Sequence, residues 1–78
     1  MPAVRRDLGA AYFALKRNAE ALAAYQESVR LDPRDAEAQL GLGLVFHALG
    51  NIQAAQAQYK ILLTLDPQQA KTLQKVLE

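Results

Sequence analysis

The tripeptide Leu31–Asp32–Pro33 recurs as Leu65–Asp66–Pro67, 34 residues further along a chain of 78. Aligning the chain with itself at that offset pairs 44 positions, of which 11 are identical. Besides the tripeptide they are Leu8/Leu42, Gly9/Gly43, Ala14/Ala48, Leu15/Leu49, Ala21/Ala55, Ala23/Ala57, Tyr25/Tyr59 and Ala36/Ala70, with Tyr12/Phe46 a near match. Tandem repetition at this period is a strong constraint. Each unit is one supersecondary element that cannot bury its apolar face alone, so the units must stack.

The spacing inside each unit is helical. Leu8, Tyr12 and Leu15 lie at i, i+4 and i+7, and so do Ala21, Tyr25 and Ser28. The second unit repeats this with Leu42, Phe46, Leu49 and then Ala55, Tyr59, Leu62. Lys16–Arg17–Asn18 separates the first pair of stripes and Gly50–Asn51 the second, glycine being suited to the left-handed end of a helix. Pro33 and Pro67 cannot continue a helix but fit the first turn of the next. Asp32 and Asp66 directly precede them, where a carboxylate caps the free amides of a helix start. The pattern predicts five helices, over about 2–16, 18–31, 34–49, 52–65 and 68–77. The fold class is therefore all-α: two helix–turn–helix units (2–33 and 34–67) and a closing helix (68–78) in a single domain, 1–78.

Composition narrows the function. Net charge is +1, too small to argue for nucleic acid or an anionic membrane. There is no cysteine, hence no disulfide and no thiolate metal site. The longest apolar stretch, Leu40–Leu49, contains two glycines and a histidine and falls short of the ~20 residues that span a bilayer. The N-terminus flanks a short apolar run with charge on both sides and makes a poor signal peptide. The expected location is cytoplasmic.

Catalysis needs a nucleophile, a tuned acid or base, or a metal. The one serine, Ser28, sits on a core stripe, where it reads as a small packed side chain. The one histidine, His47, has Gly43, Leu44, Gly50 and Asn51 at i±3 and i±4, none of them a metal ligand. Gly41-x-Gly43 lies inside a helix rather than after a strand, so it is no phosphate loop. The sequence gives no reason to expect an enzyme, a cofactor or a metal site.

The 34-residue unit resembles the tetratricopeptide repeat. The residues that carry the resemblance are Leu8-Gly9-x-x-Tyr12, Ala21, Tyr25 and Pro33, then Leu42-Gly43-x-x-Phe46, Ala55, Tyr59 and Pro67. The usual tryptophan near the start is replaced by Arg5 and Gln39, the first turn glycine by Lys16, and a small apolar residue by Ser28. The resemblance implies an α-solenoid, with Gly9 and Gly43 letting the second helix approach the first across Ala21 and Ala55. It also implies a scaffold or adaptor that binds a protein or peptide on the concave surface lined by the first helix of each unit. In the last helix, Ala70, Leu73 and Val76 are expected on the buried face, and Leu77 stands where a further repeat would need glycine. That helix reads as a solubilising cap, the alternative being truncation from a longer array.

Helix 34–49 is apolar on two opposite sides. Leu42, Val45, Phe46 and Leu49 form the stripe for the repeat's own core, and Leu40, Leu44 and His47 form a second, about half a turn away. The same face carries Arg6, Ala10 and Phe13 in the first unit and Lys71, Lys75 and Glu78 in the last helix. The expected protein-binding groove thus has a floor of Ala10, Phe13, Leu40, Leu44 and His47 and basic edges at Arg6, Lys71 and Lys75. The competing reading packs Phe13, Leu40 and Leu44 against neighbouring first helices. Some members of the family grip a chaperone's C-terminal carboxylate with three basic residues and two asparagines. By resemblance the basic positions are Arg6, Lys71 and Lys75, but the asparagine positions are Ala10 and Gly41, so that clamp is incomplete. An apolar or helical ligand with some negative charge fits better. Self-association into a homo-oligomer is the alternative role. RNA binding of the pentatricopeptide kind is disfavoured by the period and the charge.

Overall fold

The computed structural model describes residues 2–78, with side chains from Arg6 onward. Among the described residues there are five helices and no strands: α1 (Pro2–Ala14), α2 (Asn18–Leu31), α3 (Ala36–Ala48), α4 (Ile52–Leu65) and α5 (Pro67–Leu77). Each helix packs on the next, and the first helices also touch in series, α1 on α3 and α3 on α5. The all-helical repeat architecture read from the sequence is the one observed.

The two intra-unit turns close in the same way. Arg17 N–H donates to Tyr12 O (2.9 Å) and Lys16 N–H to Phe13 O (2.9 Å). In the second unit Asn51 N–H donates to Phe46 O (2.8 Å) and Gly50 N–H to His47 O (3.0 Å). This paired pattern satisfies the orphan carbonyls of a helix end and needs one left-handed residue. Gly50 takes it at φ 81° and Lys16 at φ 61°. The lysine bears a steric cost of about 1 kcal/mol that glycine avoids.

The two Leu–Asp–Pro tripeptides differ in their work. Asp66 caps α5 as expected, accepting from Gln68 N–H (3.0 Å) and Gln69 N–H (3.5 Å), with Pro67 in the first turn. Asp32 does not cap α3. Its carboxylate accepts from Arg34 N–H (3.1 Å) inside a turn, and α3 starts two residues later than expected, capped by Asp35 accepting from Ala38 N–H (3.3 Å). The cause is local: the first unit offers a second capping acid at position 35, where the second unit has Gln69.

Two apolar clusters form the core. The first joins Ala21, Tyr25, Ala38, Leu42 and Val45, with Tyr12, Phe13, Leu22, Val29 and Phe46 packed around them. The second joins Leu62, Ala70 and Leu73, flanked by Ala36, Leu40, Leu44, Tyr59 and Leu77. Complete burial of Leu62, Leu73 and Val45 contributes roughly 2 kcal/mol each. Gly43 is where three helices meet. A Cβ there would lie 2.7 Å from Leu73 Cδ2 and 3.3 Å from Gln58 Cβ.

Several stripe expectations need correction. Leu8 and Leu15 are exposed, whereas Leu42, the repeat equivalent of Leu8, is buried. The reason is that α2 lies over α3, while no described helix lies over the outer side of α1. Leu49 is also exposed, because it falls at the helix end beyond the cluster. In α5 the buried face is Ala70, Leu73 and Leu77 rather than Ala70, Leu73 and Val76. Leu77 packs against the second cluster.

Candidate functional site

The expected groove residues are carried by three helices that pack side by side. Arg6, Ala10 and Phe13 come from α1, Leu40, Leu44 and His47 from α3, and Lys71 and Lys75 from α5. Their surroundings differ. Ala10, Lys71 and Lys75 are exposed. Phe13 is half-buried against the first cluster, and Leu40 and Leu44 are half-buried against the second. Part of the second apolar face of α3 is therefore used to seat α5. His47 is half-buried at the end of α3, and its carbonyl serves the turn. Among the described residues no group of histidine and carboxylate side chains is arranged to hold a metal ion.

Arg6 is committed within the chain. Its Nη1 donates to both carboxylate oxygens of Asp35, at 3.1 and 3.0 Å, and its Nε lies 3.5 Å from Glu37. The hydrogen bond to Asp35, reinforced by that residue's charge, raises the Arg6 pKa above the ordinary guanidinium value. Asp35 thereby holds α1 to α3 and caps α3 with the same carboxylate. Lys71 and Lys75, one turn apart on α5, have no ion pair or hydrogen bond among the described residues.

Beneath this surface sits Tyr25, only 5% exposed. Its ring is held between two glycines on the two first helices. A Cβ on Gly9 would lie 3.0 Å from Tyr25 Cδ1, and one on Gly41 would lie 2.3 Å from Cε1 and Cζ and 2.8 Å from the hydroxyl oxygen. Burial pushes the Tyr25 pKa up, and the charges of Arg6, Asp7 and Glu37 also act on it. Sequence reasoning placed Tyr25 in the core but missed that Gly41 is the gap its phenol fills. A glycine at a position where some members of the family have asparagine was the available signal.

Two hollows lie elsewhere. One of about 570 Å³ opens at the N-terminal ends of α3 and α5, lined by Arg6, Asp32, Arg34, Asp35, Glu37, Asp66 and neighbours. It shares only Arg6 with the expected groove. Another of about 270 Å³ lies between α1 and α2, over Leu8, Tyr12, Ala23 and Ala24 with Glu20 and Glu27 at its rim. Those acids are bound to arginines on their own helix face, Glu20 to Arg17 and Glu27 to Arg30.

Stacked helix pairs with glycine and alanine at their crossings define a helical-repeat protein built to present a surface. The chain belongs to the tetratricopeptide repeat family: residues 9–50 match the family described as TPR repeat, and residues 36–69 match the Tetratricopeptide repeat. It is also 31% identical over 62 residues to Superkiller protein 3 of Saccharomyces cerevisiae. That match covers 80% of this chain and 4% of the yeast protein, so the chain spans a small fraction of its relative's length. Repeats of this family are generally protein–protein interaction modules. No described helix is long and apolar enough to cross a membrane.

Proposed function

We propose that the chain binds a peptide or helix of a partner protein, acting as a non-enzymatic scaffold. The ligand lies across α1, α3 and α5. Ala10, Phe13, Leu40, Leu44 and His47 form the floor, and Lys71 and Lys75 supply charge at the α5 edge. The observation that supports this reading is the contact of α3 with both α1 and α5, which sets the three first helices side by side. Arg6 belongs to the edge in position, but Asp35 and Glu37 already neutralise it. Net positive charge at the site therefore comes from the α5 end.

Leu44→Glu is the test. The residue is half-buried, so the substitution is expected to cost about 1–2 kcal/mol of stability, short of unfolding the protein. A carboxylate placed under a bound apolar side chain has no partner and is expensive to desolvate. Binding should weaken by about a hundredfold, or ~3 kcal/mol. The probe is a peptide selected from a random 12-residue display library on the wild-type protein, with its Kd and the Tm of both proteins measured in parallel. Full binding by a folded Leu44→Glu protein would place the site elsewhere. Unfolding would make Leu44 purely a core residue.

A second reading rests on the exposed Leu8 and Leu15 on α1 and Leu63 and Val76 on α4 and α5. Apolar side chains left open on helices at opposite ends of the series favour weak self-association. Sedimentation from micromolar to millimolar protein is expected to show a rising average mass. A strictly monomeric mass throughout removes this reading.

A further inference from the structure

Arg6 on α1 and Lys71 and Lys75 on α5 stand at the two ends of the series α1, α3, α5. Among the described residues only the two lysines are without a partner. Asp35 is poorly placed to release Arg6. Its side chain is 10% exposed, both of its oxygens accept from Arg6 Nη1, and Oδ1 also accepts from Ala38 N–H (3.3 Å) to cap α3. Glu37, 65% exposed, adds a second acid 3.5 Å from Arg6 Nε. An acidic group brought by a ligand would have to displace a carboxylate of the same chain, which acts at an effective concentration that a free ligand does not reach. It would also meet Asp32 and Asp66 in the hollow beside Arg6, where four carboxylates stand against two guanidiniums, Arg6 and Arg34. Like charges set against one another are a strong means of rejecting a wrong ligand.

We infer that Asp35 and Glu37 are specificity-determining residues: by occupying Arg6 they exclude an acidic group at the α1 end, so a partner's acid is read at one end only, over Lys71 and Lys75. This rests on the reading that the ligand lies across α1, α3 and α5, and it adds a charge class and a direction. The segment that fits is acidic where it crosses α5 and neutral or basic where it crosses α1. Turned end for end, it would set its acid against Asp35 and Glu37 and leave the lysines unanswered. The charge pattern therefore also fixes which way the segment lies.

The probes are the library-selected 12-residue peptides, restricted to those whose binding Leu44→Glu abolishes, each extended by two aspartates at one end or at the other. One extension is expected to tighten binding about three- to tenfold, and the other to weaken it or leave it unchanged. The gain should vanish when Lys71→Gln and Lys75→Gln are combined and should persist in Arg6→Gln. Asp35→Ser with Glu37→Gln frees Arg6, while serine keeps the α3 cap. In that protein the second extension should gain as well, and adding Arg6→Gln should remove this gain. Glu37→Gln alone, at an exposed position, should relieve part of the penalty without touching the cap, which keeps the test open if the double variant melts early. Equal gains from the two extensions in the wild type, no gain from either, a gain lost with Arg6→Gln while Asp35 and Glu37 are in place, or no second gain once Arg6 is freed would each overturn the assignment while leaving the groove intact. If no selected peptide is sensitive to Leu44→Glu, the groove reading fails and this one with it.

Discussion

Gly41→Ala is expected to destabilise the protein by about 2 kcal/mol, although alanine is the better helix former. Two effects oppose each other. Replacing glycine by alanine inside a helix contributes ~1 kcal/mol in propensity. Against it, the new Cβ would sit 2.3 Å from Tyr25 Cε1 and Cζ. Retreat toward α1 is limited, because the ring already packs close to Gly9, where an added Cβ would lie 3.0 Å from it. Overpacking of a rigid core ring falls at the upper end of its usual range, ~3 kcal/mol, so strain wins. Removing the ring should reverse the sign. In a Tyr25→Ala background Gly41→Ala should stabilise by ~1 kcal/mol, a coupling of about 3 kcal/mol between the two positions. Tyr25→Ala alone costs ~3–5 kcal/mol, so the urea titrations are best run with a stabilising osmolyte. Additivity of the two substitutions would show that the ring does not occupy the gap.

The same pair of residues shows how far the sequence could be read. The 34-residue period, the capping acids and the aromatic spacing made the helical repeat legible, because they are properties of single helices and of one self-alignment. Tyr25 was legible as a wedge for the same reason. Its second glycine partner was not, because Gly9 and Gly41 lie on different helices and meet across a ring that α2 supplies. The basic edge of the groove was legible as positions but not as chemistry. Arg6 looks like Lys71 and Lys75 in the sequence, yet Asp35 lies 3.0 Å from it, a contact across 29 residues of chain. The double apolar face of α3 was visible too, but not how much of it α5 takes up. The proposed groove therefore has fewer free cations and a less open floor than the pattern alone suggested, while the residues proposed for it remain on adjacent helices.

The closing helix gives the other large effect. Leu73 is fully buried between Leu62, Ala70 and the backbone at Gly43, where glycine lets its Cδ2 come close to α3. Leu73→Ala removes three buried carbons and leaves a cavity that two neighbouring helices cannot easily close, a loss of about 2–5 kcal/mol. A domain this small holds about 5 kcal/mol in all, so the variant should be close to unfolding at room temperature. Loss should begin at α5, which among the described residues packs only on α3 and α4, and amide exchange should quicken there before it does in α2. Val76 is the control. It lies three residues on and is 38% exposed, so Val76→Ala should cost less than 1 kcal/mol. Leu77→Ala should fall between them, since Leu77 is half-buried against the same cluster. This order is specific to a buried face at 70, 73 and 77. A face at 70, 73 and 76 exchanges the last two, so a Val76→Ala loss as large as that of Leu73→Ala, in urea titrations under one condition, would rotate α5 and redraw the surface on which Lys71 and Lys75 stand.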